Sequence, residues 1–162
     1  MNQRHDGDYC TTMKSSLLYK LPAALCLFMG AAHELTGGPV VAESLAKGTL
    51  YASNLAGDAT WSPAEVDFIL NTCYHTCGLV VFVIAFVFWQ ASITAGPESQ
   101  RLAKIAVALS ATTFISAVGL GLKSPETHGK FAWTTPPIYA WSLITGMGLA
   151  GLMSDTGGAK ED

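Results

Sequence analysis

Two histidines and a glutamate interrupt the apolar segments of this sequence, and they are the side chains best suited to chemistry. His33 and Glu34 lie near the end of the first apolar segment, and His75 lies early in the second. Ionisable side chains are costly at membrane depth, so their presence there indicates a functional site. Two imidazoles on neighbouring helices can ligate haem or a metal, and a histidine beside a carboxylate can shuttle protons to a quinone.

Helical spacing predicts that both histidines lie on faces of small or polar residues. One face carries Cys26, Gly30, His33 and Gly37, and the other carries Asn71, Thr72, His75 and Gly78. Because the chain reverses between the two helices, we expect these faces to meet and to bring the imidazoles together. In the simplest interpretation, Asn71 and His75 hydrogen-bond across the helix interface while Glu34 reaches towards the lipid headgroups. A haem, a metal or a quinone as ligand is the alternative.

The sequence CYHTC places Cys73 and Cys77 on either side of His75. Two residues correspond to a rotation of about 200° on a helix, so the imidazole points away from the side shared by the thiols. We therefore interpret the cysteines as packing residues. The sequence contains no GxSxG, P-loop or HExxH motif, which favours a role without catalysis.

The composition is that of a membrane protein. The chain has 162 residues, of which 50% are hydrophobic and 13% are charged, whereas soluble domains carry about 25% charged residues. Its mean hydropathy is +0.35. The net charge is −3, and the basic residues form no stripe that could follow a phosphate backbone, which excludes nucleic acid as a partner.

Long uncharged runs predict four membrane-spanning helices in an all-α integral membrane four-helix bundle. The expected membrane domain, residues 17–154, has spans at 17–36, 66–92, 103–122 and 136–154 and an outer segment at 37–65. Residues 1–16 and 155–162 are the expected cytoplasmic tails. With both termini inside, six Lys and Arg flank the inner side and three Lys the outer side, as the positive-inside rule favours.

The first span has a second interpretation as a signal peptide. Lys14 and Lys20 would be its positive region, and the small residues 30–32 would be its cleavage site. Cleavage would leave three spans. Residues 1–12 resemble an extension upstream of a natural start at Met13.

Small residues at helical spacing predict where the helices pack closely. The expected packing positions are Gly30, Gly78, Ala117, Gly121, Gly146 and Ala150. We expect contacts within the chain, and contact with another membrane protein or a second copy is the alternative.

The segments GAAHELTGGP and CYHTCG resemble a group of small, uncharacterised bacterial membrane proteins with four spans. The resemblance implies that His33 and His75 face each other in a bacterial inner membrane, and it implies no activity. The sequence thus predicts a non-enzymatic accessory or interaction subunit of a membrane assembly. The alternative is a membrane redox protein that binds haem, metal or quinone through His33 and His75.

Overall fold

The structure, a computed structural model, describes residues 6–39, 43, 63–123 and 136–157. These residues are helical throughout, apart from a short connection at 94–95, which confirms the all-α class. The helices are α1 (Asp6–Ala32), which continues into a π-helical turn (His33–Gly37), α2 (Pro63–Ile93), α3 (Gly96–Lys123) and α4 (Pro136–Gly157). Most of the predicted outer segment at 37–65 and parts of both predicted tails lie outside the described residues.

Three helical segments among the described residues are long and apolar enough to cross a membrane. They are Ser16–Gly37, Asn71–Ile93 and Gly96–Gly119, with 22, 23 and 24 residues. They overlap the first three predicted spans. The segment predicted as the fourth span forms α4, which has 22 residues but is not among the three. Its glycines, its hydroxyl residues and Asp155 lower its apolar content.

The chain divides into two compact units, one of residues 1–26 and 84–162 and the other of residues 27–83. The first unit contains parts of all four helices. Its buried side chains include Tyr19, Ala23 and Cys26 of α1, Ile84, Ala85, Phe88 and Ala91 of α2, Ala103, Ala106, Val107 and Ser110 of α3, and Ile138, Trp141 and Ile144 of α4. Many of these residues are small, so the backbones lie close together, as is typical of helices that pack in lipid.

Two glycines of α4 allow this close packing in the first unit. A Cβ at Gly148 would lie 2.6 Å from Cγ2 of Val107 and 2.9 Å from Cε1 of Phe88. At Gly151 a Cβ would meet the ring of Tyr19. Both glycines therefore leave room for buried side chains of other helices.

Only Thr94 and Ala95 connect α2 to α3. The backbone N–H of Thr94 donates to the carbonyl of Gln90 at 3.0 Å, and Gly96 begins α3 with φ = 69°. Glycine adopts this left-handed conformation without steric cost, so the chain can reverse within two residues. The polar residues 97–101, which precede the predicted span, form the first turns of α3.

Candidate functional site

The second unit brings together four side chains that can exchange protons or donate hydrogen bonds. His33 and Glu34 belong to the π-helical turn that follows α1, and Tyr74 and His75 belong to α2. A π-helical turn is wider than an α-helical one and occurs frequently at functional sites. Here the backbone N–H of Gly38 donates to the carbonyl of His33, five residues earlier in the chain.

His33 and Tyr74 hydrogen-bond to each other's backbone. His33 Nε2 lies 3.0 Å from the carbonyl oxygen of Tyr74, and the Tyr74 hydroxyl donates to the carbonyl oxygen of His33. Their rings stack with centroids 3.9 Å apart and an interplanar angle of 12°. This reciprocal contact ties the π-helical turn to α2.

Glu34 and His75 form a hydrogen-bonded acid–base pair across the same helices. His75 Nδ1 lies 2.7 Å from Glu34 Oε2. The side chain of His75 is 60% exposed and that of Glu34 is 29% exposed. The rings of Tyr74 and His75 meet edge-on with centroids 5.6 Å apart, so Tyr74 contacts both imidazoles.

In each histidine, the hydrogen-bond acceptor shows which ring nitrogen carries the hydrogen. A carbonyl oxygen only accepts, so His33 Nε2 carries the hydrogen that it donates to Tyr74. The Glu34 carboxylate also accepts, so His75 carries its hydrogen on Nδ1. Nε2 of His75 is therefore left available to a ligand. It belongs to an exposed imidazole ring that the Glu34 carboxylate orients. A carboxylate in this position fixes the orientation of the ring and the nitrogen that carries its hydrogen.

Two glycines make room for this cluster, and a third makes room for the neighbouring ring of Phe82. A Cβ at Gly78 would lie 2.9 Å from Cδ of Glu34 and 3.1 Å from Cδ2 of His33, and one at Gly37 would lie 3.1 Å from Cζ of Tyr74. A Cβ at Gly30 would lie 2.9 Å from Cε1 of Phe82. The predicted small faces thus pack against polar and aromatic side chains of the opposite helix.

His75 also lines a shallow open cleft on α2, with a volume of about 530 Å³. Its lining residues are Phe68, Asn71, Thr72, His75, Thr76 and Leu79. Phe68 and Leu79 are exposed apolar side chains, whereas Asn71 and the two threonines are polar. A ligand in this cleft would meet both an apolar surface and the His75 ring.

The structure places the predicted polar residues in one region but pairs them differently from the simplest interpretation. His75 pairs with Glu34, His33 pairs with Tyr74, and Asn71 lies along the cleft beside His75. Sequence reasoning overlooked Tyr74. Its position next to His75 in the chain is the signal that was available.

The predicted packing residues differ in their surroundings. Gly30 and Gly78 lie in helix contacts, and Ala117 is half-buried. Within the described part of the chain, a Cβ at Gly146 would meet no packing neighbour within 4 Å, and Ala150 is exposed. The packing of Gly121 lies outside what the structure describes.

The described cysteines are unpaired and do not cluster around this site. Cys73 and Cys77 are free and exposed, and Cys26 is free and buried. Within the described residues, no group of three or more His, Cys, Asp or Glu side chains is placed to hold a metal ion.

Comparison with known proteins does not add a function to this geometry. No family model, no curated protein and no solved structure matches the chain.

Proposed function

We propose that the chain is an integral protein of the bacterial inner membrane, with four spans and both termini in the cytoplasm. Three apolar helical segments of sufficient length support this assignment. Large apolar side chains point outwards on every helix, for example Phe28, Phe86, Ile115 and Leu143. Such a surface suits lipid and would be unfavourable in water. In this topology, the Glu34–His75 pair lies in the outer leaflet.

We propose that the Glu34–His75 pair binds a lipid-soluble ligand of the quinone class and exchanges a proton with it. The observation that carries this proposal is the 2.7 Å contact between His75 Nδ1 and Glu34 Oε2 on an exposed imidazole. Nε2 can donate a hydrogen bond to a quinone carbonyl when the ring is protonated, and it can accept one from a quinol hydroxyl when the ring is neutral.

The same geometry favours a quinone over haem. Haem held between two histidines needs a free nitrogen from each ring. Nε2 of His33 donates to the Tyr74 carbonyl, which leaves only Nδ1 of this ring free, and the Tyr74 ring stacks on His33 and contacts His75, so it lies against both rings that a haem iron would have to join. In the cleft beside His75, Phe68 and Leu79 would contact the quinone ring, and Asn71 would hydrogen-bond to its second carbonyl oxygen.

A quinone site of this kind fits the accessory subunit predicted from the sequence. The described residues supply a proton donor and acceptor, while electrons would come from a partner in the membrane assembly. Purification in a mild detergent from the native membrane should therefore yield the chain together with a fixed redox partner. A chain that reduces quinone alone, without a partner, would contradict the accessory role.

Binding of a short-chain ubiquinone to the purified protein tests the site directly. We expect His75→Ala and Glu34→Ala to weaken binding about tenfold or more, since each removes one member of the pair, and tenfold corresponds to about 1.4 kcal/mol. Cys73→Ala is the matched control, because Cys73 is exposed and lies two residues from His75 on another side of α2. Titration calorimetry in detergent micelles measures the affinities.

Two results would overturn the quinone proposal. One is equal binding by the wild type and by both variants. The other is a Soret band in the purified protein that His33→Ala abolishes, which would establish the haem alternative.

A further inference from the structure

A second polar cavity lies in the first unit, separate from the Glu34–His75 pair in sequence and in chemistry. We call it the hydroxyl cavity, and its polar lining includes Ser16, Tyr19, Ser92, Thr94, Ser99 and Asp155. It is half-enclosed and has a volume of about 360 Å³. Sites for small molecules typically measure roughly 300–1,000 Å³, so the cavity can hold a ligand of several heavy atoms.

Four hydroxyl groups of this cavity have already donated their hydrogens. Tyr19 donates to Asp155 Oδ2 at 2.7 Å. The three serines donate to backbone carbonyls: Ser16 to Ser92 at 2.9 Å, Ser92 to Trp89 at 2.6 Å and Ser99 to Ala91 at 2.7 Å. A hydroxyl has one hydrogen and two lone pairs, so these oxygens can only accept a further hydrogen bond. The cavity is therefore suited to a ligand that donates.

The charge of the lining also favours a cation. Asp155 is the charged residue of the lining, which contains no Lys or Arg. The Tyr19 side chain is 1% exposed and holds the carboxylate through its hydroxyl. Two helices, α2 and α4, end near the lining residues with partial negative charge, and α3 begins there at Gly96 with partial positive charge, so the full charge of Asp155 sets the sign of the cavity.

The lining residues coincide with the ends of the candidate membrane spans. Ser16 begins the first span, Ser92 is the penultimate residue of the second, and Gly96 begins the third. Residues at the end of a span lie at the depth of the lipid headgroups. A ligand at this level can come either from the aqueous phase or from a lipid headgroup.

We propose that the hydroxyl cavity binds a primary ammonium group, supplied either by a small soluble amine or by the ethanolamine headgroup of a membrane lipid. A primary ammonium group has three N–H donors. Asp155 neutralises its charge and accepts one donor, while the hydroxyl oxygens accept the others. A quaternary ammonium has no N–H donor, so the cavity discriminates against choline.

Thermal unfolding of the full chain in phosphatidylcholine nanodiscs tests this proposal. The probes are ethanolamine hydrochloride, compared with tetramethylammonium chloride at equal ionic strength, and phosphatidylethanolamine added to the nanodisc lipid. We expect a ligand well above its Kd to raise Tm by roughly 3–6 °C. A rise with both probes identifies the soluble amine as sufficient, and a rise with phosphatidylethanolamine alone identifies the lipid as the source. No rise with either probe would overturn the proposal.

Two variants should abolish the rise in Tm. Asp155→Asn removes the charge but keeps a side-chain oxygen that accepts from Tyr19. Ala95→Leu adds bulk at an exposed lining position and leaves the carboxylate intact. Glu98→Gln is the matched control, because it removes an exposed carboxylate that pairs with Arg101 at 3.8 Å outside the cavity lining. A rise that persists in both Asp155→Asn and Ala95→Leu would overturn the proposal.

Discussion

At the scale of single residues, contacts with Tyr74 give the two histidines different roles. It engages Nε2 of His33 through its backbone carbonyl, and its ring contacts both imidazoles. His33 thereby holds the π-helical turn on α2, while Glu34 orients His75. Two histidines that look equivalent in the sequence are thus a positioning residue and a candidate ligand-binding residue.

The hydrogen bonds predict the tautomer of each neutral histidine. We expect His33 to carry its hydrogen on Nε2 and His75 on Nδ1, because each of these nitrogens faces an acceptor. Nitrogen-15 NMR of labelled protein in micelles measures the tautomers. Glu34→Ala should let the His75 ring populate both tautomers and leave His33 unchanged. A His33 ring found only with Nδ1–H would contradict the contact with Tyr74.

At the scale of helices, the positions of the glycines determine which helix faces pack closely. Gly148 and Gly146 lie two residues apart on α4, yet only Gly148 faces buried side chains of the first unit. A glycine within a helix is unfavourable by about 0.5–1 kcal/mol relative to alanine, whereas a Cβ at Gly148 would clash with Val107 and Phe88. The two positions therefore form a natural matched pair.

Gly148→Ala should destabilise the protein by about 1–3 kcal/mol, because the new methyl group would overlap Val107 and Phe88. Gly146→Ala is the control and should leave stability unchanged or slightly higher, since its Cβ meets nothing within 4 Å. Unfolding by a denaturing detergent, followed by circular dichroism, measures the difference. Equal stability of both variants would show that α4 does not pack through Gly148.

The connection between α2 and α3 depends on the backbone of Gly96. Alanine at φ = 69° should cost about 1–2 kcal/mol, although no atom lies within 4 Å of its Cβ. Gly119→Ala is the control, because its Cβ also meets nothing but its backbone lies within α3. The same unfolding assay compares the two. If Gly96→Ala were as stable as Gly119→Ala, the turn would have a different conformation.

At the scale of the whole molecule, the described residues expose more large apolar side chains than a soluble protein does. Alanine, glycine and serine contribute many of the buried positions, while leucine, phenylalanine and isoleucine are widely exposed. Soluble proteins place large apolar residues inside because water drives them there. In lipid this driving force is lost, and close packing of small residues associates the helices.

The proposed topology predicts where reporters fused to the chain will reside. Alkaline phosphatase fused after Thr94 or after Gly157 should be inactive, and phosphatase fused after Lys123 should be active, because phosphatase folds only outside the cytoplasm. Green fluorescent protein should give the opposite pattern. If the fusion after Gly157 behaved like the fusion after Lys123, α4 would not cross the membrane, and the chain would have an odd number of spans.

The all-helical class and the apolar segments could be predicted from the sequence, because long uncharged runs in a chain with few charges are typical of membrane-spanning helices. Helical periodicity also placed Gly30 and His33 on one face and His75 and Gly78 on another. Periodicity describes one helix at a time, so it could not show which atoms of the two faces meet. The pairing of Glu34 with His75 and of Tyr74 with His33 is seen only in the three-dimensional structure. The hydroxyl cavity likewise arises from residues as far apart in the chain as Ser16, Ser99 and Asp155, and no local pattern could have brought them together.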